Sequence, residues 1–441
     1  MLTNIYKKTN ENFNDISTAW LGNFEVEANW GVGETKLPSI KGIEDYKLVN
    51  QMSELAVWVT KPHDIVFLPH DLDSGFLEHI RLILGHTPEI FKVPLENADK
   101  ITDSILYKVQ SGLLKLPERV RYLATHGTSC YEEKLAEELG VELATPQANI
   151  CRRVNSKIYS RKIAGEEGIL QPVGCFSESV GDLGEVFKKA SYYLSEGPIV
   201  IKEAYGVSGK GLIVVNSISR LQRLFNLLQR SALKNKGHAK FCVEQWVNKA
   251  IDLNYQFHVD ENGISSFDFV KEAITQQGVH LGHIYPSRIE KEQYSLLQST
   301  AEILAERLSK DGFRGVVGVD ALITTEGELY PLIEINARLN MSSYQEPIRR
   351  NLGAEHIFAW HEEVKTSNLK FEQIADLLGE NLAFRGSEQG VTVLANGTSN
   401  ISNNLAGRLF LMAHAPSEIE LTKTVKHTKL LLSSSLNGKG K

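Results

Sequence analysis

Two consecutive apolar segments joined by a short turn are the feature that most constrains the fold of this 441-residue chain. Residues 316–323 and 329–335 are rich in β-branched and aliphatic side chains, and the Thr-Glu-Gly between them is typical of a turn between paired strands. Side chains alternate between the two faces of a strand, so Glu334 and Asn336 must share one face. If the two strands pair, Asp320 faces Glu334 across the hairpin. The sequence therefore predicts two acids and an amide on one face of a sheet.

These three side chains have the chemistry of a magnesium site. Carboxylate and amide oxygens are hard ligands that suit Mg²⁺, which takes its other ligands from water and phosphates. Arg338 lies two residues after Asn336 on the same face, where a guanidinium could hold an anionic oxygen in a transition state. Asp320, Glu334 and Asn336 are therefore the predicted metal ligands, and Arg338 is a predicted catalytic residue. The alternative is a surface hairpin with polar residues on its wet side.

A glycine-rich segment between two further apolar runs is a second candidate site. Residues 198–202 end in Lys202, and residues 212–216 follow the glycine-rich residues 206–211, an order that predicts a β-hairpin. A lysine on a buried strand needs an anion or access to solvent. Glycine N–H groups can cradle phosphate oxygens, although this segment is neither a Walker A loop nor a Rossmann fingerprint. A structural turn is the alternative. The predicted nucleotide-binding residues here are Lys202, Gly206, Ser208, Gly209 and Gly211, and Lys210 is a second predicted catalytic residue.

Two weaker patterns complete the set of polar candidates. Lys157 and Arg161 lie four residues apart on a helix predicted from residue 156 to about 166, where like charges repel each other unless an anion binds. Residues 244–247, Glu-Gln-Trp-Val, predict a strand end whose backbone groups could face an adenine edge. Glu244 could accept from the adenine amine, and Asp252 could bind ribose hydroxyls. Each pattern alone is equally typical of a solvated surface.

The rest of the chain predicts a mixed α/β protein. Residues 55–146 alternate short apolar runs with helical patterns; residues 65–68 and 122–126 indicate strands, and residues 131–139 indicate a helix that ends at Gly140. Strand, turn and helix in succession are typical of a layer with parallel strands. A long amphipathic helix is predicted at about residues 291–309. After about residue 370, a smaller α+β region contains apolar runs at 390–394 and 408–412.

Composition excludes several classes of function. Hydrophobic residues make up 42% and charged residues 23% of the chain, which is normal for a globular protein, and the net charge is −6. A protein that wraps nucleic acid needs a basic face, so nucleic acid is not an expected partner. No apolar run approaches the roughly 20 residues that span a bilayer, and the four cysteines lack zinc-type spacing. We therefore expect a cytoplasmic protein without a membrane partner.

Taken in order, these residues resemble the ATP-grasp superfamily. The resemblance is carried by Lys157, by Lys202 with the glycine-rich residues 206–211, by residues 244–247, and then by the set Asp320, Glu334 and Asn336. It implies a pre-ATP-grasp α/β domain at residues 1–146, an ATP-grasp domain at 147–370 and a small C-terminal α+β region at 371–441. Within the ATP-grasp domain it implies a nucleotide lobe at about 147–250 and a metal and catalytic lobe at about 251–370.

The resemblance also implies a set of ligands and an activity. ATP would lie between the two lobes, with Lys157 and Lys202 on its phosphates and residues 206–211 as a lid. Glu244 and the backbone of Trp246 and Val247 would meet the adenine, and Asp252 the ribose. The cofactors would be ATP and two Mg²⁺ ions, with Mn²⁺ as an alternative. The activity would be that of an ADP-forming ligase, which activates a carboxylate as an acyl-phosphate and passes it to an amine. The substrates would be amino acids or small peptides.

Two departures from the family pattern bear on the catalytic arginine. Many relatives carry an arginine two residues before the first metal acid, where this chain has Gly318. Arg338 instead resembles the Glu-x-Asn-x-Arg form of the carboxylase branch, and Arg288 is a second candidate, with a surface salt bridge as its alternative role.

The C-terminal residues 407–412 leave the branch of the family and the acceptor open. They resemble both the peptide ligases of pheganomycin type and the amino-acid ligases of butirosin type. Two alternatives to amine transfer therefore stand: transfer to a carrier-protein thiol, and a non-catalytic nucleotide-binding module. Homodimers are common in the family that the chain resembles, so a homodimer is the expected assembly.

Overall fold

The computed structural model describes residues 16–38, 46–95, 100–206, 211–276, 279–364, 369–400 and 407–436. These residues form three β-sheets with helices packed on their faces. The strands are β1 (Ser17–Leu21), β2 (Ile65–Leu68), β3 (Glu89–Lys92), β4 (Val120–Thr125), β5 (Glu142–Leu143), β6 (Gly174–Ser179), β7 (Ile199–Glu203), β8 (Leu212–Val215), β9 (His238–Gln245), β10 (Lys249–Val259), β11 (Ser265–Gln276), β12 (Val279–Tyr285), β13 (Gly315–Thr324), β14 (Leu329–Asn336), β15 (His356–Val364), β16 (Gly390–Ala395) and β17 (Gly407–Ala415). The α-helices are α1 (Val26–Trp30), α2 (Tyr46–Gln51), α3 (Ser74–Leu84), α4 (Ile101–Gln110), α5 (Cys130–Leu139), α6 (Ala148–Val154), α7 (Lys157–Glu166), α8 (Leu183–Glu196), α9 (Ile218–Lys234), α10 (Lys291–Lys310), α11 (Met341–Leu352), α12 (Phe371–Leu378) and α13 (Glu418–Leu436).

The first sheet is parallel, as the alternation of strands and helices predicted. Its strand order is β3-β2-β1-β4-β5, so the order reverses at β1 and β4. Helix α3 packs on one face, and α4 and α5 pack on the other, which explains why the strands read as continuous apolar runs. Helix α5 begins at a Ser129–Glu132 capping box and ends at Gly140 in the left-handed conformation. Ligands of open α/β sheets bind where the strand order reverses.

The second sheet contains the predicted glycine-loop hairpin. Its antiparallel order is β6-β9-β7-β8, and Lys202 on β7 pairs with Leu212 on β8. Helices α8 and α9 cover the face that carries Ile199 and Ile201. Because side chains alternate along β7, Lys202 points to the opposite face.

The third sheet contains the hairpin that was predicted to carry the metal ligands. Its order is β14-β13-β10-β11-β12-β15-β17-β16. In the pairing of β13 with β14, Asp320 lies opposite Glu334 and Gly318 opposite Asn336, so the predicted pairing is confirmed. Helix α10 covers the face that carries Val317 and Val319, which leaves Asp320 on the uncovered face.

The C-terminal strands belong to this third sheet. Strand β17 pairs with β15 along its whole length, and β16 pairs with β17, so the sheet continues across the boundary predicted at residue 370. Local patterns could not show this, because β17 attaches to the edge of a strand more than forty residues earlier in the chain. The domain limits otherwise stay predictions. Within the described ranges, no helix is both long enough and apolar enough to cross a membrane.

Candidate active site

A cleft of about 390 Å³ lies between the uncovered faces of the second and third sheets. Strands β7, β8 and β9 line one side, and β10, β11, β13 and β14 line the other. Most of the residues that the sequence analysis singled out line this one cleft: Lys157, Lys202, Gly206, Gly211, Glu244, Trp246, Val247, Asp252, Asp320, Glu334, Asn336 and Arg338.

Four predicted site residues are not placed in the cleft. Ser208, Gly209 and Lys210 lie outside the described residues. Arg288 follows β12 and turns back to the neighbouring strand, where its Nη2 is 2.7 Å from Oε2 of Glu272. The Arg288 side chain is 60% exposed and belongs to a surface salt bridge, which was the alternative role for it.

The predicted metal ligands lie on one wall of the cleft. Asp320 accepts hydrogen bonds from Nδ2 of Asn254 at 2.9 Å and from Nδ2 of Asn336 at 3.1 Å. Burial, and then the negative charge of Glu334, raise the pKa of Asp320 to about 6. Two carboxylates that face each other away from solvent repel each other, and a cation bound between them would remove this repulsion.

The donor set fits magnesium in particular. The described part of the chain contains no group of three or more His, Cys, Asp or Glu residues that could hold a metal ion by themselves. Asp320, Glu334 and Asn336 instead offer two carboxylates and an amide, which suits an ion that keeps waters and takes further ligands from phosphates. A divalent cation here would also relieve the repulsion that raises the Asp320 pKa.

Lys157 connects the two walls of the cleft. It is the first residue of α7, whose N-terminus is capped by Ser156. Its Nζ donates to Oε1 of Glu334 at 2.6 Å and to the carbonyl oxygen of Gly206 at 2.9 Å. The ammonium group therefore lies between the metal ligands and the start of the glycine-rich segment.

Glu244 is held between two cations on the opposite wall. Its Oε2 is 2.5 Å from Nζ of Lys202, and its Oε1 is 3.2 Å from Nη1 of Arg161. Burial opposes the charge of Glu244, but Lys202 and Arg161 outweigh it and lower the pKa of this carboxyl. Burial likewise opposes the charge of Lys202, and Glu244 outweighs it and raises the lysine pKa. Glu244 and Lys202 are therefore both charged at neutral pH.

The segment after β9 offers backbone groups to a planar ligand. The N–H of Trp246 donates to the carbonyl oxygen of Pro198 at 2.8 Å, so only part of the predicted backbone edge is free. Within the described residues, neither the carbonyl oxygen of Trp246 nor the N–H of Val247 makes a backbone hydrogen bond of the kind found in turns and loops. An acceptor followed by a donor matches the amine and ring nitrogen of adenine. Farther along the cleft, Asp252 contacts Lys249 and accepts from Oγ1 of Thr275 at 2.5 Å.

Arg338 projects into the cleft from the end of β14. Its Nη2 donates to Oδ1 of Asn336 at 3.0 Å, and its Nη1 donates to the carbonyl oxygen of Leu339 at 2.9 Å. The same guanidinium forms an ion pair with Glu27 of α1, and the two side chains are 12% and 10% exposed. The Arg338 side chain is thus fixed on several sides while it lines the cleft.

Comparison with known proteins agrees with this arrangement. Residues 173–346 match the model of the carbamoyl-phosphate synthase L chain, ATP binding domain. The structure superposes on a biotin carboxylase–β,γ-ATP complex from Campylobacter jejuni with a TM-score of 0.58, at 12% identity, over 96% of this chain and 95% of that chain. The chain contains an ATP-grasp domain. At this level of identity, the structural match shows that the ATP-grasp fold is shared, and no more.

Two curated relatives extend the comparison beyond the ATP-grasp domain. The [butirosin acyl-carrier protein]–L-glutamate ligase of Niallia circulans is 24% identical over 318 residues, which cover 70% of this chain and 70% of that protein. Mitochondrial pyruvate carboxylase of Rattus norvegicus is 26% identical over 258 residues, which cover 58% of this chain but only 20% of that protein. The chain thus aligns with relatives of different overall size.

The structure adds residues to the ATP-grasp site that sequence patterns did not assign. Asn254 shares a face of β10 with Asp252, and the alternation of polar residues there was the available signal. Its Oδ1 accepts from Ser342 at 2.7 Å, which fixes its amide so that Nδ2 is aimed at Asp320. No sequence pattern assigned Glu27 to the site, because 311 residues separate it from its partner Arg338.

Gly318 has a steric explanation in this ATP-grasp domain. A Cβ atom at this position would lie 2.2 Å from Nδ2 of Asn340. Nδ2 of Asn340 donates to the carbonyl oxygen of Arg338 at 2.9 Å, and Oδ1 of Asn340 accepts from Nη1 of Arg338 at 3.3 Å. The space that an arginine side chain would need is therefore filled by a residue that holds Arg338 in place.

Proposed function

We propose that this chain is an ADP-forming ligase that activates a carboxylate with ATP as an acyl-phosphate and transfers the acyl group to an amine, joining amino acids or small peptides. One observation carries the proposal: Asp320, Glu334, Asn336 and Arg338 share one wall of a cleft whose other wall presents Lys202. Phosphoryl transfer needs this arrangement, because its catalysis consists mainly of positioning and charge neutralisation.

The cations of the cleft are placed to neutralise a polyphosphate. Lys157 and Lys202 each lie against a carboxylate, Glu334 and Glu244 respectively. Phosphate oxygens that enter the cleft would replace Glu334 and Glu244 as the partners of the two lysine ammonium groups. Glu334 would then be able to bind a cation. Asp320, Glu334 and Asn336 would hold Mg²⁺, which when bound supplies positive charge against the phosphate oxygens.

Two reaction steps follow from this placement. A carboxylate oxygen of the substrate attacks the γ-phosphorus, and ADP leaves with the electron pair of the broken phosphorus–oxygen bond. An amine then attacks the acyl carbon, loses a proton and expels inorganic phosphate. The Arg338 guanidinium can hold the substrate carboxylate in the first step and the oxyanion that develops at the acyl carbon in the second, because Asn336 and Asn340 fix its plane. No serine or cysteine nucleophile is required.

A carrier-protein thiol is a second candidate for the acceptor. The butirosin ligase relative acts, by its name, on an acyl-carrier protein. In this chain, no acidic residue occurs between Glu203 and Glu244. Within that stretch, α9 exposes four basic side chains around the exposed Leu227, on the side of the second sheet away from Lys202. These four are Arg220, Arg223, Arg230 and Lys234. Such a surface complements an acidic protein partner.

An ADP-release assay over amino acids, dipeptides and carrier proteins tests the proposal. We expect ADP and inorganic phosphate to appear in equal amounts, without pyrophosphate, only when a carboxylate and an acceptor are both present. AMP and pyrophosphate would contradict the acyl-phosphate route. ATP binding without turnover under all conditions would support a non-catalytic module instead.

The choice of acceptor needs a separate comparison. If a carrier protein accepts the acyl group, replacing Arg223 and Arg230 by glutamate should weaken carrier affinity at least about 10-fold. ADP release with a small amine acceptor should stay unchanged. Replacing the same two residues by glutamine serves as the matched control, and its effect should be smaller. Equal carrier affinity in the unaltered protein and in both variants would show that α9 does not bind the carrier protein.

A further inference from the structure

The ion pair between Glu27 and Arg338 identifies the substrate class. We infer that the cleft takes its carboxylate substrate as a free α-amino acid, with the carboxylate on Arg338 and the ammonium group on Glu27. This inference rests on the proposed function. It adds the chemical form of the substrate, which the metal and nucleotide residues do not determine.

Glu27 reaches the cleft from the first sheet. It lies on α1, which follows β1 closely, and β1 is one of the two strands at which the order of the parallel sheet reverses. Open α/β sheets bind ligands at this point. The Glu27 carboxylate lines the cleft and forms an ion pair with Arg338, and both side chains are about nine-tenths buried.

The other ion pairs of the cleft belong to residues already assigned to ATP or to the metal. Lys157 pairs with Glu334, Lys202 with Glu244, and Lys249 with Asp252. Of the ion pairs that line the cleft in the described structure, the one between Glu27 and Arg338 includes no residue proposed for the nucleotide or for Mg²⁺. It is therefore the pair left to meet the second substrate.

The charge of Glu27 restricts which carboxylates can use Arg338. A substrate carboxylate that takes the guanidinium would displace Glu27 and leave a nearly buried anion without a cation, which costs at least about 30-fold in affinity. A zwitterion avoids this loss, because its ammonium group replaces Arg338 as the partner of Glu27. An N-acylated amino acid or a simple carboxylic acid offers no such replacement.

The closeness of the pair also restricts the spacing of the substrate charges. Glu27 and Arg338 are in direct contact, so a ligand that engages both needs its ammonium and carboxylate groups close together. One carbon separates these groups in an α-amino acid, and more atoms separate them in an ω-amino acid. The carboxylate that is activated is therefore the α-carboxylate rather than a side-chain carboxylate.

Paired substrates test the inference directly. ADP release is measured with the set of L-amino acids, and the best of them is then compared with its N-acetyl derivative and with 4-aminobutyrate. We expect kcat/KM for the free α-amino acid to exceed that of both other compounds at least about 30-fold. In Glu27→Gln this preference over the N-acetyl derivative should fall toward unity, mainly through a higher KM for the free amino acid.

Two control variants separate charge recognition from a structural role. Glu27→Asp keeps the negative charge and should keep a clear preference for the free amine. Glu185→Gln removes an exposed carboxylate that pairs with Lys188 on α8, and it should behave as the unaltered protein. If Glu27→Gln lowered turnover of the free and N-acetylated substrates equally, Glu27 would only orient Arg338 and the inference would be overturned. Equal use of both substrates by the unaltered protein would overturn it as well.

Equilibrium binding keeps this test independent of turnover. Calorimetry of the unaltered protein with ATP analogue, Mg²⁺ and either the free or the N-acetylated amino acid should show the same preference, and Glu27→Gln should lose it. If the free amino acid binds in this way but no ADP is released, the proposed ligase function fails while the substrate assignment stands. If ADP is released but N-acetylation has no effect on binding, the assignment fails and the ligase function stands.

Discussion

Glu25 provides a test of how a buried carboxylate makes the stability of this protein depend on pH. It precedes α1, the helix that carries Glu27, and it is only 6% exposed. Apart from its own amide, neither of its carboxylate oxygens has a hydrogen-bond partner among the described residues. Burial raises the pKa of Glu25 to about 7 from 4.5, and the negative charge of Glu132 adds to the rise. At higher pH, the folded protein must therefore keep a charged carboxylate in its interior, although Glu25's own amide and Lys100 offset part of the cost.

The expected effect on stability follows from proton linkage. The folded state binds this proton more tightly than the unfolded state, so the contribution of Glu25 to stability falls as the pH rises from 4.5 to 7. The rise of the Glu25 pKa from 4.5 to about 7 corresponds to about 3 kcal/mol when complete, of which about 2 kcal/mol accrues between pH 5.5 and pH 8.5. Glutamine at position 25 keeps the shape of the side chain but has no proton to lose.

Thermal unfolding at the two pH values measures this difference. We expect Tm of Glu25→Gln relative to the unaltered protein to rise by about 2 °C from pH 5.5 to pH 8.5, because the unfolding entropy of a chain of this length is large. The comparison between pH values cancels the cost of burying the glutamine amide, which is the same at both. Glu185→Gln, an exposed carboxylate variant, should show no such rise. A Tm difference for Glu25→Gln that did not change with pH would refute the reasoning.

Three further substitutions address the cleft itself. Glu334→Ala should lower ADP release at least about 100-fold while the melting curve without ligands stays cooperative, because it removes a metal ligand and not a core residue; steady-state turnover near the unaltered rate would count against the metal site. Lys202→Ala should raise the Kd for ATP about 10- to 100-fold, through the loss of a charged hydrogen-bond donor, and an unchanged Kd in calorimetry would make that lysine structural. Gly318→Ala should lower kcat with little change in ATP affinity, because the new methyl group displaces Asn340. The matched control is Gly184→Ala, where a methyl group meets nothing within 4 Å. Equal kcat in the two variants would contradict the steric explanation.

The features that the sequence predicted well are local. Strand alternation placed Glu334 and Asn336 on one face, and a short turn fixed the register that brings Asp320 opposite Glu334. The glycine-loop hairpin was predictable for the same reason, since its two strands are neighbours in the chain. Such arrangements depend on side-chain periodicity and turn geometry, which can be read from a few consecutive residues.

The features that the sequence did not predict depend on distant contacts. Nothing near Glu27 indicates that it will meet Arg338, and nothing near Arg288 indicates that Glu272 will hold it at the surface. The attachment of β17 to β15 also depends on the packing of two segments that are far apart in the chain. These contacts are set by how whole sheets and helices pack, and so the placement of Asp320 opposite Glu334 was easier to predict than the pairing of Glu27 with Arg338.

Isotope transfer from the substrate carboxylate is the most direct test of the proposed chemistry. The amino acid that best stimulates ADP release would be labelled with ¹⁸O in both carboxylate oxygens, and the products would be analysed by mass spectrometry after turnover with ATP and acceptor. The acyl-phosphate route predicts one ¹⁸O atom in each inorganic phosphate that is released, together with ADP. Unlabelled phosphate, or label that appears in AMP, would contradict it.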